Sequence, residues 1–113
     1  MTSAIRMAVA STNGAKIDQH FGQAEVFYVY DVGGDGAKEV GRRVVAENAL
    51  AGEGVRETII RMLADCKLLL AEKIGTGPRP MLAKAGIEPV DKYAHMEVLT
   101  SLADAYASRA CAA

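Results

Sequence analysis

Cysteine is scarce in this chain: there are two, Cys66 and Cys111, far apart and without a Cys-x-x-Cys pair. That excludes a disulfide framework, a zinc ribbon and an iron–sulfur cluster built on protein thiolates, and both thiols are expected to be reduced. No charge sign dominates either, with 13 Lys and Arg against 14 Asp and Glu. The chain therefore lacks the global positive charge on which nonspecific nucleic-acid binding depends, and its charge balance leaves room only for a local basic patch. No apolar run approaches the length needed to cross a bilayer. No basic segment with an apolar stretch and cleavage site precedes the first strand-like run, so the expected location is the cytoplasm. Neither a Gly-x-x-x-x-Gly-Lys-Ser/Thr loop nor a Gly-x-Gly-x-x-Gly fingerprint is present, which leaves nucleotide binding weakly supported.

What is present fits one domain spanning residues 1–113, of which 50% are apolar and 24% charged. Ile5 to Ser11 reads as a short apolar strand, and Glu25 to Val32 is the most β-prone run. Gly33-Gly34-Asp35-Gly36 turns the chain into a charged edge strand from Ala37 to Ala46. Val55, Ile59, Met62 and Leu63 recur at helical spacing up to Asp65, and Lys67 to Ala71 follows as a buried strand. Thr76 is placed to N-cap a second helix with Pro78 in its first turn, and Gly86 to end it before a short strand, Ile87 to Val90. Val98, Leu99, Leu102, Ala105 and Tyr106 mark a third helix ending near Ser108, with a disordered small-residue tail expected from there. The order β-β-β-α-β-α-β-α predicts an α/β fold built on one mixed five-stranded sheet flanked by helices.

If the first strand is central, the parallel strands open onto one sheet edge, the edge that ligands favour in open α/β sheets. The loops there carry His20 after the first strand, the Glu72 to Gly77 segment after the fourth, and Asp91 to His95 after the fifth, so both histidines are expected on one rim. Lys73-Ile74-Gly75-Thr76-Gly77-Pro78-Arg79 has the parts of an anion cradle: glycines admitting backbone N–H groups, a helix start and two cations. Cys66 precedes the fourth strand, at the opposite end, and reads as a small buried hydrophobe.

These residues carry a resemblance. Asp18-Gln19-His20-Phe21-Gly22 between two strands, with Gly75-Thr76-Gly77-Pro78 and Ala85-Gly86-Ile87-Glu88-Pro89-Val90, resembles the dinitrogenase iron-molybdenum cofactor biosynthesis family from about Ile5 to Tyr106. Its members include NifX, NafY and the C-terminal domain of NifB. The resemblance implies a ribonuclease-H-like fold and binding, without catalysis, of the iron-sulfur precursor or the finished iron-molybdenum cofactor as cargo. Partners would be the precursor synthase, the scaffold and apo-dinitrogenase, and the chain is expected to be a monomer or weak homodimer with no nucleic-acid or membrane partner. His20 matches the motif histidine implicated in cluster binding. A preformed cluster brings its own sulfides and negative charge, so a carrier needs one or two protein ligands and a basic surface. Here His20 and His95 would contact metal, with Asp18, Gln19, Phe21, Gly22, Lys73, Gly75, Thr76, Gly77 and Arg79 around the cluster. The radical-enzyme Cys-x-x-x-Cys-x-x-Cys motif is absent, so the chain is not expected to build the precursor. The family's reach leaves a molybdenum–copper cluster, or a small-molecule sensor or regulatory role, as alternatives. A nuclease is excluded because the first strand holds no acid to bind cations.

Overall fold

Met7 and Val9 pack into one hydrophobic cluster and Ala8 and Ala10 into another, because successive side chains of a strand point to opposite faces of its sheet. The computed structural model describes residues 4–112, with side chains described as far as Ser108. Elements run β1 (Ile5–Ala10), a 3-10 turn (Phe21–Gln23), β2 (Val26–Gly33), β3 (Gly36–Val44), α1 (Val45–Asn48), α2 (Val55–Met62), β4 (Leu68–Leu70), α3 (Pro78–Lys84), β5 (Glu88–Val90) and α4 (Val98–Ala112). The strands form one five-stranded sheet in the order β3-β2-β1-β4-β5. β1–β2 and β2–β3 are antiparallel, while β1–β4 and β4–β5 are parallel. The mixed sheet with β1 at its centre is the arrangement expected from the sequence.

Burial follows from position in the sheet. β4 lies between two parallel neighbours with both faces covered, so Leu68, Leu69 and Leu70 are all buried and show no polar alternation. One face packs Ala8, Phe27, Val29 and Leu69 against Ile59, Leu63 and Leu82 from the α2 and α3 side. The other packs Met7, Val9, Tyr30 and Leu70 against Val98, Leu102 and Ala105 of α4. β3 is an edge strand dominated by exposed residues, as its charge pattern suggested.

Several boundaries move. The third strand ends at Val44, and a one-turn helix occupies Val45–Asn48 where strand was expected. α2 stops at Met62 rather than Asp65, and Val55 at its start is 52% exposed. Leu99, expected on the apolar stripe of α4, is 63% exposed, since it stands about 100° round the helix from buried Val98. That helix continues past Ser108 to Ala112, so its backbone is helical where a disordered tail was expected. The Cys111 side chain lies outside the described residues. Thr76 does not cap α3: Gly77 occupies the N-cap, in helical conformation, with no side-chain cap bond. Gly86 does end that helix region, at φ +82°, a left-handed conformation that glycine adopts without a Cβ clash.

At the end of the sheet where β1 begins, Arg6 bonds Asp31 at 2.8 Å and Asp65 at 2.9 Å, and Arg43 grips the same Asp65 through two bonds of 2.6 and 2.9 Å. The Arg43 guanidinium holds the Asp65 carboxyl well below the usual carboxylate range, and Arg6 lowers Asp31 likewise. Because the folded-state values are depressed, this stabilisation is complete above the unfolded carboxylate value of about 3.9 and is lost as pH falls below it. With the pairs part-exposed, solvent limits the Asp65 contribution to about 1 kcal/mol. Melting temperature is therefore expected to drop between pH 5 and pH 3 by more in the natural chain than in Asp65→Asn. Equal drops in thermal melts at the two pH values would show that these pairs are not responsible.

Candidate functional site

The chain leaves β1 through Ser11, whose buried hydroxyl accepts from Gly14 N at 2.9 Å and donates to Lys16 O, folding the next residues back on themselves. Asp18 Oδ1 then accepts from the Thr12 backbone N–H at 2.8 Å and its hydroxyl at 3.1 Å, while Gln19 Nε2 donates to Thr12 Oγ1 at 2.8 Å. Asp18 and Gln19 thus shape the loop rather than line a cavity. His20 follows, and Phe21 drives its ring into the core at 1% exposure, which anchors the loop from beneath.

Main-chain bonds tie this loop to the one after β4. Glu72 N donates to Gln19 O at 2.9 Å, Phe21 N donates to Lys73 O at 3.0 Å, and His20 and Lys73 form a parallel bridge. The parallel pairing of β1 and β4 is in effect resumed at their carboxyl ends, so His20, Glu72 and Lys73 are placed by backbone. The loop after β5 joins through His95 N donating to Ile17 O at 2.8 Å. His95 sits at φ +65°, a left-handed conformation in which histidine is one of the better-tolerated side chains.

A cavity of about 300 Å³ opens at this edge, lined by His20, Phe21, Gly22, Gln23, Arg56, Lys73, Gly75 and Pro78. Of the candidates read from the sequence, it brings together His20, Phe21, Gly22, Lys73 and Gly75. His95 approaches from elsewhere: its Nε2 lies 3.6 Å from Glu72 Oε2, the same oxygen that stands 3.0 Å from His20 Nε2. The two histidines do share a rim, but a carboxylate joins them and His95 does not line the cavity. Among the described residues no group of three or more His, Cys, Asp and Glu is arranged to hold a metal ion.

The expected anion cradle is changed in its parts. Arg79 turns away to bond Asp91 and the Ile74 carbonyl, bracing the loops beneath the site. Pro78 and Pro80 take two of the first three positions of α3, removing N–H groups that a helix start would offer an anion. Thr76 and Gly77 are exposed beside the cavity. The second cation comes instead from Arg56 on α2, whose guanidinium lies so close to Gly77 that a Cβ there would be 3.1 Å from Nη1. Among the described residues the Arg56 and Lys73 side chains have no hydrogen-bond or ion-pair partner. Gly22 adds an open rim, since a Cβ there would meet nothing within 4 Å.

Arg56 and Glu72 were not singled out by sequence reasoning. Glu72 had a usable signal, being the second residue beyond a parallel strand at its carboxyl end. Arg56 had none, because only the packing of α2 against α3 carries it across to the Lys73 loop. Cys66 is buried at 1% exposure at the far end, and burial pushes its thiol up to about 12, which fits the inert packing role read from the sequence.

The molecule is an open-sheet α/β domain with a basic, histidine-bearing cavity at the carboxyl ends of its parallel strands, the edge at which such sheets place ligands. Within that class the chain belongs to the dinitrogenase iron-molybdenum cofactor family, whose model matches residues 3–108. It is 42% identical over 92 residues to the FeMo cofactor biosynthesis protein NifB of Herbaspirillum seropedicae, covering 79% of this chain and 18% of that one. It is 38% identical over 105 residues to NifB of Rhizobium meliloti, covering 90% and 21%. The chain thus spans about a fifth of the length of these relatives. Among solved structures, PH0822 shares the fold with a TM-score of 0.61 and 19% identity, over 96% of this chain and 92% of that one.

Proposed function

We propose that this chain binds an anionic metal–sulfur cluster, the iron-sulfur precursor or the finished iron-molybdenum cofactor, and holds it as a carrier or store without catalysing its synthesis. The observation that carries the reading is the pairing, in one cavity, of an accessible imidazole with two cations that have no hydrogen-bond or ion-pair partner among the described residues. Cations left unpaired beside a cavity are poised for an external anion, and an imidazole is a borderline ligand suited to iron. Its 43% exposed ring leaves the metal-facing atoms within reach of a ligand larger than the cavity. One imidazole with two charges holds such a cargo without the four-ligand closure of a structural site, so release stays easy. The named role of the NifB relatives in FeMo cofactor biosynthesis supports this choice of cargo. Partners that deliver or accept the cluster, namely the precursor synthase, the scaffold and apo-dinitrogenase, follow from the same reading.

Anaerobic titration with the cofactor precursor tests it. The natural chain is expected to form a stoichiometric coloured complex, and His20→Ala to bind at least tenfold more weakly, about 1.4 kcal/mol, while keeping its circular dichroism. An affinity unchanged by His20→Ala would remove the imidazole from the site. Tight binding of a nucleotide or organic acid, with none of the cluster, would replace the carrier by a small-molecule sensor.

A further inference from the structure

A carboxylate beside an anion-binding cavity opposes the cations it stands among, so the presence of Glu72 there calls for a physical reason. Its Oε2 lies 3.0 Å from His20 Nε2, within hydrogen-bond reach, and 3.6 Å from His95 Nε2, beyond it. A carboxylate oxygen only accepts, so the proton in the short contact belongs to the ring. Neutral His20 therefore carries hydrogen on Nε2 and leaves its lone pair on Nδ1. Glu72 is also the better-fixed partner: its side chain is 24% exposed against 43% for His20, and its backbone N–H is bound to Gln19 O. The ring is held by the acid, and the acid by the fold.

We infer that Glu72 is a positioning residue that sets the orientation and tautomer of His20, so that Nδ1 rather than Nε2 is the atom offered to a metal of the bound cluster. The identity of the ligating atom rests on the cluster-binding reading, whereas the tautomer exists in the free protein. Ligation is then a simple exchange: the Nδ1 lone pair forms an iron–nitrogen bond, a terminal thiolate departs with its own electron pair, and no oxidation state changes. His95 does not duplicate the arrangement, because its ring lies outside hydrogen-bond reach of the same oxygen and off the cavity wall.

Two measurements test this, using a synthetic anionic [4Fe–4S] thiolate cluster as probe. In the free protein with its rings neutral, long-range proton–nitrogen NMR is expected to find His20 protonated on Nε2, and protonated on Nδ1 in Glu72→Lys, whose ammonium can only donate. In anaerobic titrations Glu72→Lys is expected to bind the probe at least tenfold more weakly despite two added units of positive charge. Glu72→Gln, whose carbonyl still accepts, is expected to stay within threefold of the natural chain. Charge alone gives the opposite order, with Glu72→Lys tightest. That order, or an Nδ1 proton in the natural chain, would overturn the proposal. If instead the natural chain and His20→Ala take up the probe equally, the cluster reading fails, and the NMR result still decides whether Glu72 fixes the ring.

Discussion

Reversing both cavity cations, Arg56→Glu together with Lys73→Glu, is expected to weaken binding of an anionic cluster by on the order of a hundredfold at low ionic strength. Neither side chain has an ion-pair partner among the described residues, so the field they project into the cavity is open to an anionic ligand. Both are also exposed, so added salt screens them and the loss is expected to shrink once the Debye length falls below the size of the site. Arg79→Glu is the matched comparison. It sets two carboxylates against each other where Arg79 now bonds Asp91, and should therefore lower thermal stability while leaving affinity nearly untouched. Cluster titrations at low and high salt, with melting curves on each variant, separate the two. If Arg79→Glu weakened binding as much as the double reversal, the cradle would be the one read from the sequence after all.

Leu69→Ala is expected to lower the unfolding free energy by about 2–5 kcal/mol, a large part of the stability of a domain this size. Leu69 is fully buried in the middle of β4, with Ala8 of β1 on one side and Pro89 of β5 on the other. Small neighbours on both sides mean that few side chains can swing in to fill the space, which places the substitution toward the upper end of that range. Denaturant unfolding of the two chains measures it. A change below about 1 kcal/mol would mean that the core relaxes around the gap. His20→Ala should shift the same curve by under about 0.5 kcal/mol, as expected of a half-exposed loop residue.

Most of the sheet was readable because burial and strand position are written in side-chain type. Leu68-Leu69-Leu70 is apolar on both faces, which a covered interior strand needs, and the β-branched and aromatic residues of β2 mark it as a strand. The His20 loop was readable for a similar reason, since a polar segment between two strands has few places to go. What failed were statements about which charged side chain meets which. Arg79 and Asp91 are twelve positions apart and paired by the α3–β5 turn, so spacing alone left Arg79 free to serve an anion. Arg56 became a cavity residue through helix packing that no local pattern records. The cap at Thr76 failed because Pro78 and Pro80 already fix the backbone at the head of α3, leaving the helix start without need of a side-chain acceptor.

The three loops of the rim are joined by peptide groups: Glu72 N to Gln19 O, Phe21 N to Lys73 O, His95 N to Ile17 O. Such bonds are indifferent to which side chain each residue carries, and among the twenty amino acids only proline deletes a donor. The frame of the socket is consequently separable from its contents. Exchanging residues such as His20, Gly22, Lys73 and Gly75, singly or together, leaves these peptide bonds in place, so a descendant of this chain could alter the chemistry its cavity presents in a few substitutions without first having to rebuild a fold.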